Sequence, residues 1–461
     1  MRVNRLFWTT LLAAAMSPHG AGAQVTRADY EAALKLRESR QYLTVNVPEP
    51  ATWVGKTSRF SYRRSVEGGH EFVMVDAKTL QKRPAFDHER LAASLAKETQ
   101  GKHTALRLPF NNFTFVDDER AIQMQVRGER WKCTLSDYAC ARSEPPGPPP
   151  GALRGVNGPV RGPHLPASQK PKPSPDGKWE ALVQNHNLAV RVPGGKELKL
   201  LSTDGSEGDF YELASVVWSP DSKKLAAYRV RPGYRRTVHY VESSPEDQLQ
   251  PKHWTLQYAK PGDVLDLEQP VVFHLDPVKQ VNVAADLFPN PYDLTDLVWR
   301  RDSRAVTFEY NQRGHQVYRV IEADAATGKA RAVVSEEPKT FFYYNRASSS
   351  RGAGKRFRHD VGDGREVVWM SERDGWNHLY LLDGATGAVK QQITRGEWAV
   401  RGVEKVDEDK RRIWFSANGM YPGKDPYFLH YYRIEFDGTG LTPLTLQDAD
   451  HELAFSSDME Y

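Results

Sequence analysis

A short unit recurs along this chain: an apolar or aromatic strand, a polar turn built on Asp or Asn, and a second apolar strand. It reads KPSPDGKWEALV from Lys172, VVWSPDSKKLAAYRV over 216–230 and LVWRRDSRAVTFEY over 297–310. It returns as VVWMSERDGWNHLYLLD over 367–383, RIWFSANGM over 412–420 and ELAFSSDMEY over 452–461. Asp-Gly and Asp-Ser suit such turns because a short polar side chain bonds the local backbone and tolerates left-handed geometry. Pro175 and Pro220 are 45 residues apart, as are Trp369 and Trp414. That spacing matches the period of about 40–45 residues of a propeller blade. Trp218 to Trp299 is 81 residues and Trp299 to Trp369 is 70, which predicts insertions inside blades.

The pattern predicts an all-β chain, a β-propeller of seven blades plus the start of an eighth, preceded by a short helix. A blade cannot bury its own faces, and stacking blades around an axis does so. The terminal stretch HELAFSSDMEY reads as a strand at Leu453–Phe455 running into a turn. Tryptophans 218, 299, 369 and 414 are expected at equivalent strand positions, as core packing. Thirty prolines, 34 glycines and 11 tryptophans in 461 residues favour short strands and many turns over a helical bundle.

The first residues, MRVNRLFWTTLLAAAMSPHGAGAQ, have the form of a secretory leader: Arg2 and Arg5, an apolar run over 6–16, and Ala21-Gly22-Ala23 before Gln24. Residues 1–23 are therefore expected to be removed on export to a periplasmic or extracellular space, leaving no membrane span. Residues 24–49 form an N-terminal segment whose stretch 26–42 is helical, capped by Thr26 with Tyr30, Ala33 and Leu34 on a loose apolar stripe. The propeller then runs over 50–461. An oxidising compartment permits a disulfide between Cys133 and Cys140 in WKCTLSDYAC, two free buried thiols being the alternative.

Three polar stretches interrupt the pattern. SEPPGPPPGALRGVNGPVRGPHLP (143–166) reads as a linker, and NRASSSRGAGKRFRHD (345–360) as a flexible inter-strand loop. The stretch 231–263 is charged and rich in Pro and Tyr, and is expected to project as a β-ribbon arm. The balance of 63 basic to 59 acidic residues excludes an electrostatic nucleic-acid footprint. Scattered histidines without His-Glu-x-x-His spacing predict no metal site, and Asp117-Asp118-Glu119 reads as a solvated turn. No cofactor is expected.

SPDGKWEALVQNHNLAVR (174–191), VVWSPDSKKLAAYRV (216–230), LQPKHWTLQYAKPGD (249–263) and WMSERDGWNHLYLLDGATG (369–387) resemble the dipeptidyl peptidase IV branch of the prolyl oligopeptidase family. The resemblance covers about residues 25–461 and implies that family's N-terminal eight-bladed propeller. There an α/β-hydrolase follows, with a Ser-Asp-His triad and its serine on a Gly-Trp-Ser-Tyr-Gly-Gly elbow. This sequence contains no Gly-x-Ser-x-Gly, so it is expected to lack the hydrolase and to be inactive alone. A stand-alone envelope scaffold and a non-functional truncated product are the alternatives.

The family's propeller holds a peptide's free α-ammonium with two adjacent glutamates, and two carboxylates suit a charged group with three donors. The matching stretch here is DGSEGDFYELASVVWSP (204–220), with Glu207 at the first position and Gly208 at the second. The resemblance makes Glu207, helped by Asp209 or Glu212, the candidate for binding peptides with a free N-terminus. An acidic surface loop is the other reading. A homodimer through the arm is a further expectation.

Overall fold

The computed structural model describes residues 25–40, 44–143, 170–295, 297–347 and 354–461. The expected leader and almost all of the proline-rich linker lie outside the described residues, as do 348–353 of the expected loop. The chain divides into two compact units, one of 1–152 with 453–461 and one of 153–452.

Among the described residues there are seven antiparallel sheets of four or five strands and one two-stranded ribbon. The sheets cover 52–84, 113–142, 172–200, 210–282, 291–336, 358–392 and 399–443; the strands follow one another in chain order, except that in 210–282 and 291–336 the two-residue strands Val217–Trp218 and Val298–Trp299 pair beside that path. The fold is all-β, as the sequence predicts. The ribbon pairs Thr237–Glu242 with Lys252–Gln257 and enters between two long strands of one sheet, Lys224–Arg231 and Leu267–Leu275.

In the first unit, helix α1 spans Arg27–Arg40. Thr26 N–H donates to Asp29 Oδ2 at 2.8 Å and Asp29 N–H donates to Thr26 Oγ1 at 3.3 Å, a reciprocal cap of two orphan amides. A second helix, α2, spans His88–Thr99 and departs from the strand-only reading of this region. Asp87 caps it by accepting from the amides of Glu89 and Arg90, and Leu91, Ala92 and Leu95 face inward. Leu91 and Leu95 join a core of Phe72, Phe86, Phe110, Phe113, Ile122 and Trp131. Cys133 and Cys140 face each other across neighbouring strands and form a disulfide, their Cα atoms 4.1 Å apart.

In the second unit, successive sheets pack face to face. Ala181, Leu188 and Val190 meet Leu225, Ala227 and Phe273, and Tyr228 and Val272 meet Val306, Phe308 and Ile321. Val320 and Val333 meet Val367 and Trp369, while Leu379 and Leu381 meet Ile413 and Phe415.

Three of the recurrent turns are built the same way. Ser219 Oγ donates to Asp221 Oδ1 at 2.5 Å and accepts from Lys224 N–H at 2.9 Å. Ser174 does so with Asp176 and Trp179, and Ser456 with Asp458 and Tyr461. In the second unit three turns are also tied to the next sheet. Asp176 N–H donates to Ser222 Oγ at 3.1 Å, Asp221 N–H to Ser303 Oγ at 3.2 Å and Arg301 N–H to Asp363 Oδ1 at 3.0 Å.

Three expectations need correction. First, Trp218 and Trp299 lie on two-residue strands before the turn, whereas Trp369 and Trp414 lie within longer strands, so the four are not equivalent. The indoles of Trp218 and Trp299 donate to the carbonyls of Lys172 and Val217 at 2.9 and 3.1 Å. Second, Leu453–Phe455 forms no strand, although the turn that follows it is made. Third, the stretch after 353 is not a loose loop. Arg356 is buried, its guanidinium paired with Glu309 and 2.8 Å from the Tyr318 hydroxyl. Arg358 and Arg300 share Asp360 at 2.6 and 2.5 Å, and Arg300 also meets Glu322 at 2.6 Å. Buried charges persist only when paired, and here the pairs run between two sheets.

Candidate functional site

The segment carrying the three candidate carboxylates, 202–212, folds against the hairpin Asn185–Asn187. Asn187 Oδ1 accepts from Gly205 N–H at 2.8 Å and from Ser202 Oγ at 3.1 Å, and His186 C=O accepts from Tyr211 N–H at 3.1 Å. A Cβ at Gly205 would lie 2.2 Å from the His186 carbonyl oxygen, so only glycine permits this approach. The chain then reverses between Ser206 and Asp209, whose backbones exchange hydrogen bonds of 2.8 and 3.1 Å. Glu207 stands at the tip of that reversal, and Glu212 follows the two-residue strand Phe210–Tyr211.

The three candidates meet different fates. Asp209 is paired: its Oδ1 is 2.8 Å from Arg229 Nε and its Oδ2 is 3.4 Å from Arg231. The Arg229 contact is a close ion pair without the alignment of a hydrogen bond. Glu207 is exposed and Glu212 half-buried, and among the described residues neither carboxylate has a hydrogen-bond or ion-pair partner. Glu207 at the reversal and Glu212 beyond the strand are thus left without partners among the described residues, whereas Asp209 is engaged by its arginines.

Sequence reasoning missed the group behind this reversal. Asp204 accepts from the Tyr211 hydroxyl at 2.9 Å and Gln280 Nε2 at 3.1 Å, and pairs with Arg229 at 2.7 Å. Burial opposes its ionisation, but the hydrogen bonds from Gln280 and Tyr211 and the Arg229 charge prevail and hold it below the usual carboxylate range. Burial, then the bond to Asp204, pushes the Tyr211 phenol up. The signal lay in Tyr-Arg-Val-Arg (228–231), where strand alternation places Arg229 and Arg231 on one face.

Among the described residues no group of three or more His, Cys, Asp or Glu is placed to hold a metal ion. No helix there is long and apolar enough to cross a membrane. A cavity of about 410 Å³ lies in the first unit, with Arg63, His70, Phe72, Arg107 and Asn111 in its wall.

Residues 160–461 match the family described as the dipeptidyl peptidase IV (DPP IV) N-terminal region. Dipeptidyl peptidase 4 of Arthroderma otae is 24% identical over 255 residues, an alignment of 54% of this chain and 31% of that protein. Dipeptidyl peptidase 4 of Trichophyton equinum is 23% identical over 246 residues, covering 51% of this chain and 30% of that protein. The match thus spans about a third of each of these relatives. The solved dipeptidyl peptidase 4 of Porphyromonas gingivalis superposes with a TM-score of 0.42 at 16% identity, over 90% of this chain and 55% of that one. With its family match extending over most of its length, this chain belongs to the dipeptidyl peptidase IV N-terminal region family.

Proposed function

We propose that this chain is an exported β-propeller that admits peptides and holds their free N-termini for a dipeptidyl-peptidase-type serine hydrolase. Family membership supports the association with such peptidases. The face-to-face stacking of sheets over 172–443, with three turns tied to the next sheet, supports a ring of blades. In this reading the seven sheets are seven blades and 453–461 opens the eighth. The leader and the Cys133–Cys140 bridge favour an oxidising compartment outside the cytoplasm.

The observation that carries the site is a contrast within residues 207–212: Asp209 is neutralised by arginines, while among the described residues Glu207 and Glu212 are unpaired. Glu207 takes the ammonium, with Glu212 as the second carboxylate, and Asp209 fixes the loop through Arg229 and Arg231. A lone exposed carboxylate–ammonium pair is worth about 0–1 kcal/mol, so binding by the propeller alone is weak. The ribbon's exposed Tyr240 and Trp254 supply an apolar surface through which two copies would associate.

The test is NMR line broadening of a free-amine Xaa-Pro dipeptide and of its N-acetyl counterpart by the chain. Selective broadening of the free amine, reduced in Glu207→Gln and retained in Asp209→Asn, is expected. Equal broadening of both peptides removes the reading.

A further inference from the structure

The ribbon carries two histidines that the proposed function does not use. Its register pairs His239 with Thr255 and Val241 with His253, which sets the two imidazoles diagonally on one face. Their ring centroids are 5.2 Å apart at an interplanar angle of 22°. His239 Nδ1 and His253 Nε2 are 3.0 Å apart, and both residues are exposed. Among the described residues, neither ring has another hydrogen-bond partner.

A single proton can bridge two neutral imidazoles, one nitrogen donating and the other accepting. A metal ion in the proton's place engages both lone pairs. With metal–nitrogen bonds of about 2.1 Å, the 3.0 Å separation subtends an angle of about 90° at the metal. A tetrahedral angle of about 109° would need the nitrogens about 3.4 Å apart. A right angle belongs to square-planar or tetragonal copper(II) and nickel(II), and copper(II) also heads the order of divalent affinities for nitrogen ligands.

We propose that His239 and His253 form a two-nitrogen chelate for a tetragonal divalent transition metal, copper(II) or nickel(II), with water filling the other positions. The two ligands come from opposite strands, so the ion clips the ribbon closed. A two-stranded ribbon is marginally stable by itself in water. Metal binding therefore orders the tip, residues 243–251, which joins the strands.

The experiment is a calorimetric titration of the untagged full chain with copper(II), nickel(II) and zinc(II), alongside His239→Ala, His253→Ala and His253→Gln. Electron paramagnetic resonance reads the copper geometry, and a glutamate-specific protease reads cleavage at Glu246. Expected is one copper(II) equivalent with a tetragonal, nitrogen-coordinated spectrum and slower cleavage at Glu246. Each substitution should remove that equivalent or weaken it by more than about 100-fold, beyond the roughly 10–100-fold that loss of an outer-shell partner usually costs. His253→Gln keeps a hydrogen-bonding side chain without an imidazole, so retained binding there would overturn the proposal. So would absence of binding to the parent chain, unchanged binding in both alanine variants, or tighter binding of zinc(II) than of copper(II).

Discussion

The indole N–H of Trp53 donates a 2.8 Å hydrogen bond to the carbonyl of Ala454, 401 residues further along the chain. Ala454 lies two residues before the turn serine Ser456, as Lys172 lies before Ser174 and Val217 before Ser219. Those two carbonyls receive the indoles of Trp218 and Trp299. Trp53 is therefore the third member of a series that spacing alone did not reveal. Tyr461 adds a ring contact to Trp53 at 6.2 Å. Trp53→Phe should destabilise the first unit by about 1 kcal/mol, a typical net hydrogen-bond contribution, and expose 453–461 to carboxypeptidase. Denaturant unfolding and digestion rates measure both; a tail digested no faster than in the parent would contradict the role given to this bond.

Breaking the buried pair between Arg356 and Glu309 should be severe. Arg356→Met leaves a buried carboxylate short of its cation, at a cost of about 3–5 kcal/mol. Burial first, then the neighbouring Arg358, pushes the Arg356 guanidinium down to about 10, still charged near neutrality. Adding Glu309→Leu removes the stranded charge and should recover part of the loss. Urea unfolding of the two single variants and the double variant measures the coupling; strictly additive losses would refute it.

Two carboxyl groups should push the pH dependence of stability in opposite directions. Asp221 is held down at about 2: burial opposes its charge, but hydrogen bonds from Ser219, Lys224 and the Lys223 amide outweigh it. Its contribution is full above its unfolded value of 3.8 and fades as pH falls toward about 2. Asp221→Asn should therefore cost most near neutrality and little near pH about 2. Glu404 is the reverse. Burial pushes it up to about 7, and its Oε1 has no partner. Stability should fall as pH rises from its unfolded 4.5 through about 7, and Glu404→Gln should remove that fall. Melting temperatures across the acid-to-neutral range check both signs.

Residues 1–461 should show no turnover of an Xaa-Pro chromogenic amide. Serine attack needs a positioned base and an oxyanion hole, and the sequence encodes no Gly-x-Ser-x-Gly elbow to hold them. Turnover abolished by a serine-reactive phosphonate would reveal a nucleophile elsewhere in the chain.

The repeated sheets and their turns were legible because each turn is local: serine, aspartate and the backbone two to five residues on. The ribbon was legible too, as a polar insertion between two long strands. Helix α2 was missed although its signals are local, with Asp87 as cap and Leu91, Ala92 and Leu95 on one face. The fate of 354–360 was not legible. Arginines in a Gly- and Ser-rich stretch look solvated until Glu309, from a different sheet, is set beside Arg356 and Arg358. At the candidate site, the resemblance put Glu207 first, with Asp209 or Glu212 as its helper. Only the placement of Arg229 and Arg231 separates Asp209 from the other two.

The amide-to-side-chain links between successive turns carry a consequence for where this chain can accept new sequence. Asp176, Asp221 and Arg301 each hold a partner on the following sheet through the turn backbone itself. Lengthening one of those turns by a residue would misplace two sheets together. The segment between Arg231 and Leu267 instead leaves and returns on adjacent, directly paired strands, so its length is unconstrained by either neighbour. Grafted peptides, reporter domains or affinity handles should be tolerated at the ribbon tip near Gln248 and rejected at Asp176, Asp221 or Arg301.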